Sequence, residues 1–209
     1  MIVTDIKRKG KSEIYNVFVD GEFFSLIEGE IIVKNHIKIG AKYTKEELTS
    51  FKSNSDEIVC YEMALGYVSK SLKTNKQLKT YLKKYKFENE AIEKSIKKLE
   101  SYGYINDESF ANYVVGTMSQ SKGKRYIANQ LTMKGVSERN IKKALESIEN
   151  EEETCENVAK KWLKGKILPL DQKNKEKLYR FLIGRGFEYE TIKKVVNNEN
   201  IFGEYDDWN

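Results

Sequence analysis

The segment LKTYLKKYKFENEAIEKSI, residues 78–96, decides how this chain is read. Its apolar skeleton, Leu78, Leu82, Phe87, Ile92 and Ile96, advances in steps of four, five, five and four residues. The same steps recur at Ile127, Leu131, Val136, Ile141 and Leu145, and again at Leu178, Leu182, Phe187, Ile192 and Val196. The starting positions 78, 127 and 178 lie 49 and 51 residues apart, room for a module of about three helices in a repeat array. A frame of this kind is consumed by packing, so function is sought on the remaining faces and at the junctions between repeats.

Working outward, each repeat needs a first helix ahead of its frame. In the first repeat Ile58, Tyr61, Leu65 and Val68 stand at three- and four-residue spacing and predict one buried face. Phe110, Tyr113, Val114 and Met118 take that role in the second repeat, and Val158, Trp162 and Leu163 in the third. The acidic run Glu151-Glu152-Glu153 falls in the first turn of the latter helix, where it complements the helix dipole. Helix starts are marked by the capping box Thr74-Asn75-Lys76-Gln77, by Gly123, by Ser137 and by Asp171, with the single proline, Pro169, in the loop before Asp171. The residue ahead of the middle frame position is Lys86, Gly135 or Gly186. Glycine is the expected left-handed helix stop, so Lys86 predicts a corner that is strained or differently shaped.

Ahead of the repeats, residues 1–27 read as strands. Ile2, Val3 and Ile6 precede a polar turn at Lys9 to Ser12, and Asp20-Gly21 is a two-residue type I′ hairpin signal between two apolar runs. Pairing across that turn puts Tyr15, Val17 and Val19 beside Phe24 and Leu26 on one face, with Phe18 and Phe23 opposite each other on the other. A short helix near Glu30 to Asn35 and a second one opened by the capping box Thr44-Lys45-Glu46-Glu47 are the expected cover. The polar run Lys52-Ser53-Asn54-Ser55 reads as a linker. The expected fold class is mainly α: three tandem three-helix repeats in an elongated curved array, preceded by a small N-terminal α+β unit with a β-hairpin. The expected boundaries are 1–52 for the hairpin unit, 56–106, 107–149 and 150–200 for the repeats, and 201–209 for a loosely held acidic tail.

Composition narrows the function classes. Hydrophobic residues make up 39% and charged residues 33% of the chain, which fits thin cores under a highly charged surface. No apolar run approaches the length of a membrane span, and Asp5 and Arg8 interrupt the first apolar stretch, so neither a span nor a secretory leader is expected and a cytoplasmic location is. Cys60 and Cys155 are far apart in sequence, and His36 is the only histidine, so two buried thiols are expected and no metal site, disulfide or histidine-based catalysis. Gly10-Lys11-Ser12 has Asp5 where a phosphate-binding loop needs glycine and is followed by a strand, and Gly184-Arg185-Gly186 ends a helix. The pairs Glu46-Glu47 and Asp206-Asp207 are explained by capping or solvation. No catalytic set emerges, so no enzyme activity and no cofactor is expected.

Charge supplies the remaining candidates. The net charge of +5 is uneven: positive residues exceed negative ones by three in 56–106 and again by three in 107–148, whereas 149–209 is net negative by two. Lys122, Lys124 and Arg125 lie at a helix start, where backbone donors reinforce cationic side chains in attracting phosphate or carboxylate. Lys76, Lys79 and Lys83 lie opposite the Leu78 and Leu82 face of their helix. An ordinary solvated face is the competing reading of both groups, and a tandem helical DNA-binding protein of transcription-factor type is the competing function class.

The segment Leu99-Glu100-Ser101-Tyr102-Gly103-Tyr104-Ile105-Asn106-Asp107-Glu108-Ser109-Phe110-Ala111 resembles the signature of the RecX family of recombinase regulators, a Leu-Gly-Tyr-Ile-Asp-Asp-Glu-x-Phe-Ala type stretch joining the first two repeats. The similarity extends over Tyr61 to Leu82, Gly123 to Leu145, the third repeat and the hairpin unit carried by Gram-positive members. Four positions depart from the family pattern: Asn106 stands for an aspartate, Lys124 for a proline, Tyr126 for an arginine and Lys86 for a glycine. The resemblance implies a monomeric, cytoplasmic, non-enzymatic protein acting in homologous recombination, DNA repair and the SOS response. Such a protein binds RecA recombinase and its single-stranded-DNA nucleoprotein filament, lies in the filament groove, and modulates, mostly by inhibiting, ATPase, strand exchange and filament growth. Direct contact with DNA and contact through RecA alone both stay open.

Overall fold

The computed structural model describes residues 1–164 and 171–198. The chain divides into two compact units, Met1–Asn106 and Asp107–Asn209. Pro169 and the acidic tail 201–209 lie outside the described residues.

The first unit begins with strands β1 (Val3–Arg8), β2 (Ile14–Val19) and β3 (Glu22–Glu28), paired antiparallel in that order. Asp20 and Gly21 both hold positive φ, +50° and +88°, as a type I′ turn demands. Phe18 and Phe23 face each other edge to face at 6.0 Å. Beyond them the register slips between Val17 and Phe18, so that Val17 opposes Ser25. A one-residue slip turns every later side chain over. Leu26 therefore does not join Val17 and Val19 as expected. Val17, Val19 and Ile27 pack with Val3, Leu48 and Phe51, whereas Leu26 and Ile14 enter the core of the first repeat.

After α1 (Gly29–Lys34), helix α2 runs unbroken over Lys45–Val68. The expected linker Lys52-Ser53-Asn54-Ser55 is thus the middle of a helix. Thr44 and Glu47 form the reciprocal cap, and no glycine or proline follows until Gly66 to stop what they start. The polar residues are polar because they bond. Ser55 Oγ accepts the Glu28 amide at 2.6 Å, and Lys52 Nζ reaches Asp56 at 2.9 Å and Glu88 at 2.7 Å. Burial holds the Asp56 carboxyl above its usual range despite that ammonium, while exposed Glu88 is lowered by its hydrogen bond from the same Lys52. The buried stripe of α2 is also rotated from the expected one: Val59, Cys60, Met63, Ala64 and Val68 face the core and Ile58 is exposed.

Helices α3 (Asn75–Lys83) and α4 (Asn89–Ser101) complete the first repeat, with Thr74 and Gln77 forming the second capping box. Between them Lys86 has φ +59°, the conformation that Gly135 and Gly186 adopt at +85° and +80°. The corner is strained, at a cost of about 1–2 kcal/mol for a residue with a Cβ, and is not reshaped. Lys86 Nζ donates to the Phe23 carbonyl at 3.0 Å, so the lysine that strains the corner also ties it to β3.

The second unit contains α5 (Asp107–Met118), α6 (Lys124–Lys134), α7 (Glu138–Glu146), α8 (Glu151–Leu163), α9 (Gln172–Gly184) and α10 (Tyr189–Asn197). Ser137, Asn150 and Asp171 cap α7, α8 and α9 through their side chains. All fifteen frame positions of the three repeats are buried except Leu145, which is half-buried against its own core. Cys60 and Cys155 are buried and unbridged, and burial pushes their thiols up to about 11 and about 12, which leaves them inert.

The α9–α10 corner meets the start of α6 backbone to backbone. The Gly123 amide donates to the Arg185 carbonyl at 3.0 Å and the Arg125 amide to the Gly186 carbonyl at 3.2 Å. A Cβ on Gly123 would stand 2.2 Å from the Gly186 oxygen. The Lys124 amide donates to Glu151 Oε1 at 2.6 Å, a bond that the proline usual at this position cannot make. Burial raises the Glu151 carboxyl above its usual range, although the Lys124 amide and ammonium act against it.

Two outcomes follow. Gly123→Ala should lose about 2 kcal/mol or more in denaturant unfolding because backbone atoms must separate, whereas Gly116→Ala, with open space at its Cβ inside α5, should be neutral or gain up to about 1 kcal/mol; equal stabilities would refute the interlock. A raised native pKa at Glu151 means that the folded state binds the proton more tightly above the unfolded value near 4.5. Stability of the parent relative to Glu151→Gln should therefore fall as pH rises from 4.5 through the raised native value, and a rise over that window would show the burial argument wrong.

Candidate functional site

The six cations singled out by sequence belong to separate compact units. In the first, Lys76 and Lys83 are exposed on α3, and half-buried Lys79 is joined to Glu93 of α4, which neutralises it within the repeat. Among the described residues Lys83 has no carboxylate within ion-pair distance, and its ammonium is presented to solvent.

In the second unit the start of α6 is not the open anion site that its sequence suggests. A helix N-terminus binds an external anion through free amides. Here the amides of Gly123, Lys124 and Arg125 are spent on Arg185, Glu151 and Gly186, and the carboxylate in place is the chain's own. The side chains differ in turn. Lys122 lies over the Tyr126 ring at 4.3 Å, and burial together with neighbouring Arg185 lowers its pKa. Lys124 faces Glu151, and Arg125 is exposed. Of this trio Arg125 is the side chain free to meet a partner.

The structure also assembles a groove that the sequence did not reveal. Gln120 and Ser121 from the α5–α6 connection, Val158, Lys161 and Trp162 of α8 with its C-cap Lys164, and Phe181 of α9 with its C-cap Arg185 line a cavity of about 440 Å³. Trp162 and Phe181 stand 5.7 Å apart, and the Arg185 guanidinium lies 4.9 Å from the Phe181 ring centre. The available sequence signals were Arg185 between two glycines and Trp162 flanked by lysines, neither of which identifies the other as its neighbour.

At the junction, α4 ends in a left-handed Gly103, and the Tyr104 amide returns to the Leu99 carbonyl at 2.9 Å. Ile105 closes the first repeat's core, and Phe110 and Ala111 open the second's. Tyr102 and Tyr104 are 62% and 52% exposed, so the aromatic residues of this stretch divide between seating and display.

Known proteins share this layout. Models of the RecX first, second and third three-helix domains match residues 60–99, 106–145 and 149–196. Regulatory protein RecX of Clostridium botulinum strain Eklund 17B is 32% identical over 206 residues, 97% of each chain. Regulatory protein RecX of Caldanaerobacter subterraneus subsp. tengcongensis is 32% identical over 94% of this chain and 99% of its own. A crystal structure of a regulatory protein RecX superposes with TM-score 0.62 at 22% identity over 93% of this chain and 98% of that one, a likeness of fold. The structure of RecX from Lactobacillus salivarius gives TM-score 0.62 at 27% identity over 68% of this chain and 94% of its own. With three RecX domains in order and this identity over nearly the whole chain, the protein belongs to the RecX family.

Proposed function

We propose that this chain is a non-enzymatic cytoplasmic regulator that binds RecA and its single-stranded-DNA filament, lies in the filament groove, and restrains ATP hydrolysis, strand exchange and filament growth. The observation that carries this reading is the set of three RecX domains in sequence order, with frames buried and charged faces left outward. Several weakly binding modules on one chain reinforce one another through effective concentration, which suits a polymer whose sites repeat. Exposed Arg125 and the displayed Tyr102 and Tyr104 are of residue types enriched at protein interfaces, and exposed Lys76 and Lys83 add positive charge that steers association with an anionic partner.

The test is a titration of this protein into RecA on single-stranded DNA at moderate salt, reading ATP hydrolysis and strand exchange. A progressive fall is expected; no response at excess, together with sequence-selective duplex binding, would sink the proposal in favour of a DNA-binding factor. The Lys83→Glu and Arg125→Glu pair should weaken filament binding about tenfold, or 1.4 kcal/mol, at unchanged melting temperature. Reversing Lys124 instead should lower the melting temperature, because it sets a second carboxylate beside Glu151.

A further inference from the structure

The cavity formed by α8, α9 and the α5–α6 connection gathers cations that no neighbouring acid neutralises. Lys161, Lys164 and Arg185 line it and Lys122 adjoins Arg185, and none of the four has a carboxylate within ion-pair distance among the described residues. Elsewhere Lys79, Lys143 and Lys194 each meet a glutamate of a neighbouring helix. Lys122 and Arg185 lie close enough for the arginine to disfavour the lysine's charge, a repulsion that an anion between them relieves. The Arg185 guanidinium rests on the Phe181 ring, and its N–H groups donate to no acceptor among the described residues, which leaves them available for a two-pronged grip on phosphate. Val158, Trp162 and Phe181 supply an apolar, aromatic wall, and Gln120 and Ser121 add amide and hydroxyl groups.

We infer that this cavity is a binding site for a free nucleoside triphosphate, its phosphates held by Lys161, Lys164, Arg185 and Lys122 and its base set against Trp162 and Phe181. Size and charge select this ligand. A volume of about 440 Å³ falls within the roughly 300–1,000 Å³ of small-molecule sites. A triphosphate concentrates about four negative charges in one small ligand, a match for the four cations. A nucleic-acid strand brings one charge per residue, so the part of it that fits the cavity leaves most of that positive charge unanswered. An acidic peptide spreads its carboxylates along the chain and brings backbone amides that need partners of their own. Inorganic polyphosphate answers the charge but makes no use of the aromatic wall, on which a base stacks. Occupancy also has a structural consequence. The Arg185 carbonyl already accepts the Gly123 amide at 3.0 Å, so a ligand gripped by Arg185 and Ser121 tightens the hold of the third repeat on the second.

Isothermal titration of the full chain with ATP, in magnesium-free buffer at moderate salt, tests this with RecA absent, so the outcome is separate from the RecA proposal. ATP should bind one to one and raise the melting temperature, and tripolyphosphate and adenosine should each bind at least about tenfold more weakly. Exposed Lys161→Gln with Lys164→Gln should weaken ATP binding about tenfold or more while the free protein melts unchanged. Lys76→Gln with Lys83→Gln, on the other compact unit, should leave ATP binding as it is. Phe181→Leu should weaken ATP and spare tripolyphosphate. Absence of ATP binding at millimolar concentration, or an equal loss in the two lysine pairs, would overturn the inference. Tripolyphosphate binding as tightly as ATP would replace it with a bare polyanion site, and an oligothymidylate binding more tightly than ATP through Lys161 and Lys164 would replace it with a single-strand groove.

Discussion

Each repeat turns on one backbone conformation, a left-handed residue between its second and third helices. That residue reverses the chain within the frame, so that the apolar positions before it and after it meet in one small core. Two repeats meet the requirement with glycine and the first with Lys86. The strain is tolerated where the side chain has something to do, and Lys86 spends its ammonium on the carbonyl of Phe23 in β3. Gly186 carries a second duty, because its missing Cβ lets the α9–α10 corner lie against the backbone of Tyr126.

The N-terminal sheet is bound into the first repeat by the same economy of contacts. Helix α2 belongs to both cores: Leu48 and Phe51 pack under the sheet, and Val59, Cys60 and Met63 pack in the repeat. Lys52, Asp56 and Glu88 lie where one core passes into the other. Breaking such a buried pair leaves an uncompensated charge, which makes it a device for fixing one arrangement more than for adding stability.

Apolar spacing was legible because a helical core repeats it and surface chemistry does not disturb it. The capping boxes at Thr44 and Thr74 were legible for the same local reason. Polarity misled at Lys52 to Ser55, where hydrogen bonds to distant partners take the place of water. It misled again at the start of α6, since the carboxylate that takes the Lys124 amide is 27 residues away in sequence and the Gly123 and Arg125 amides go to the Arg185 and Gly186 carbonyls. Candidate contacts suffered most: pairing removes Lys79 and commits Lys124, and the Trp162–Phe181 groove joins residues from three segments with no common motif.

By itself the sequence determined the number of repeats, the repeated frame positions of their cores, the capped helix starts and the hairpin turn, all properties of spacing and local hydrogen bonding, whereas Ile58 and Tyr113, expected on buried faces of the first helices, are exposed. Only the tertiary structure decided which way Leu26 faces, that the polar run inside α2 is helix, that Lys86 holds a glycine's conformation, and which cations remain unpaired. Those outcomes depend on pairings between residues remote in sequence, whose geometry no local pattern records.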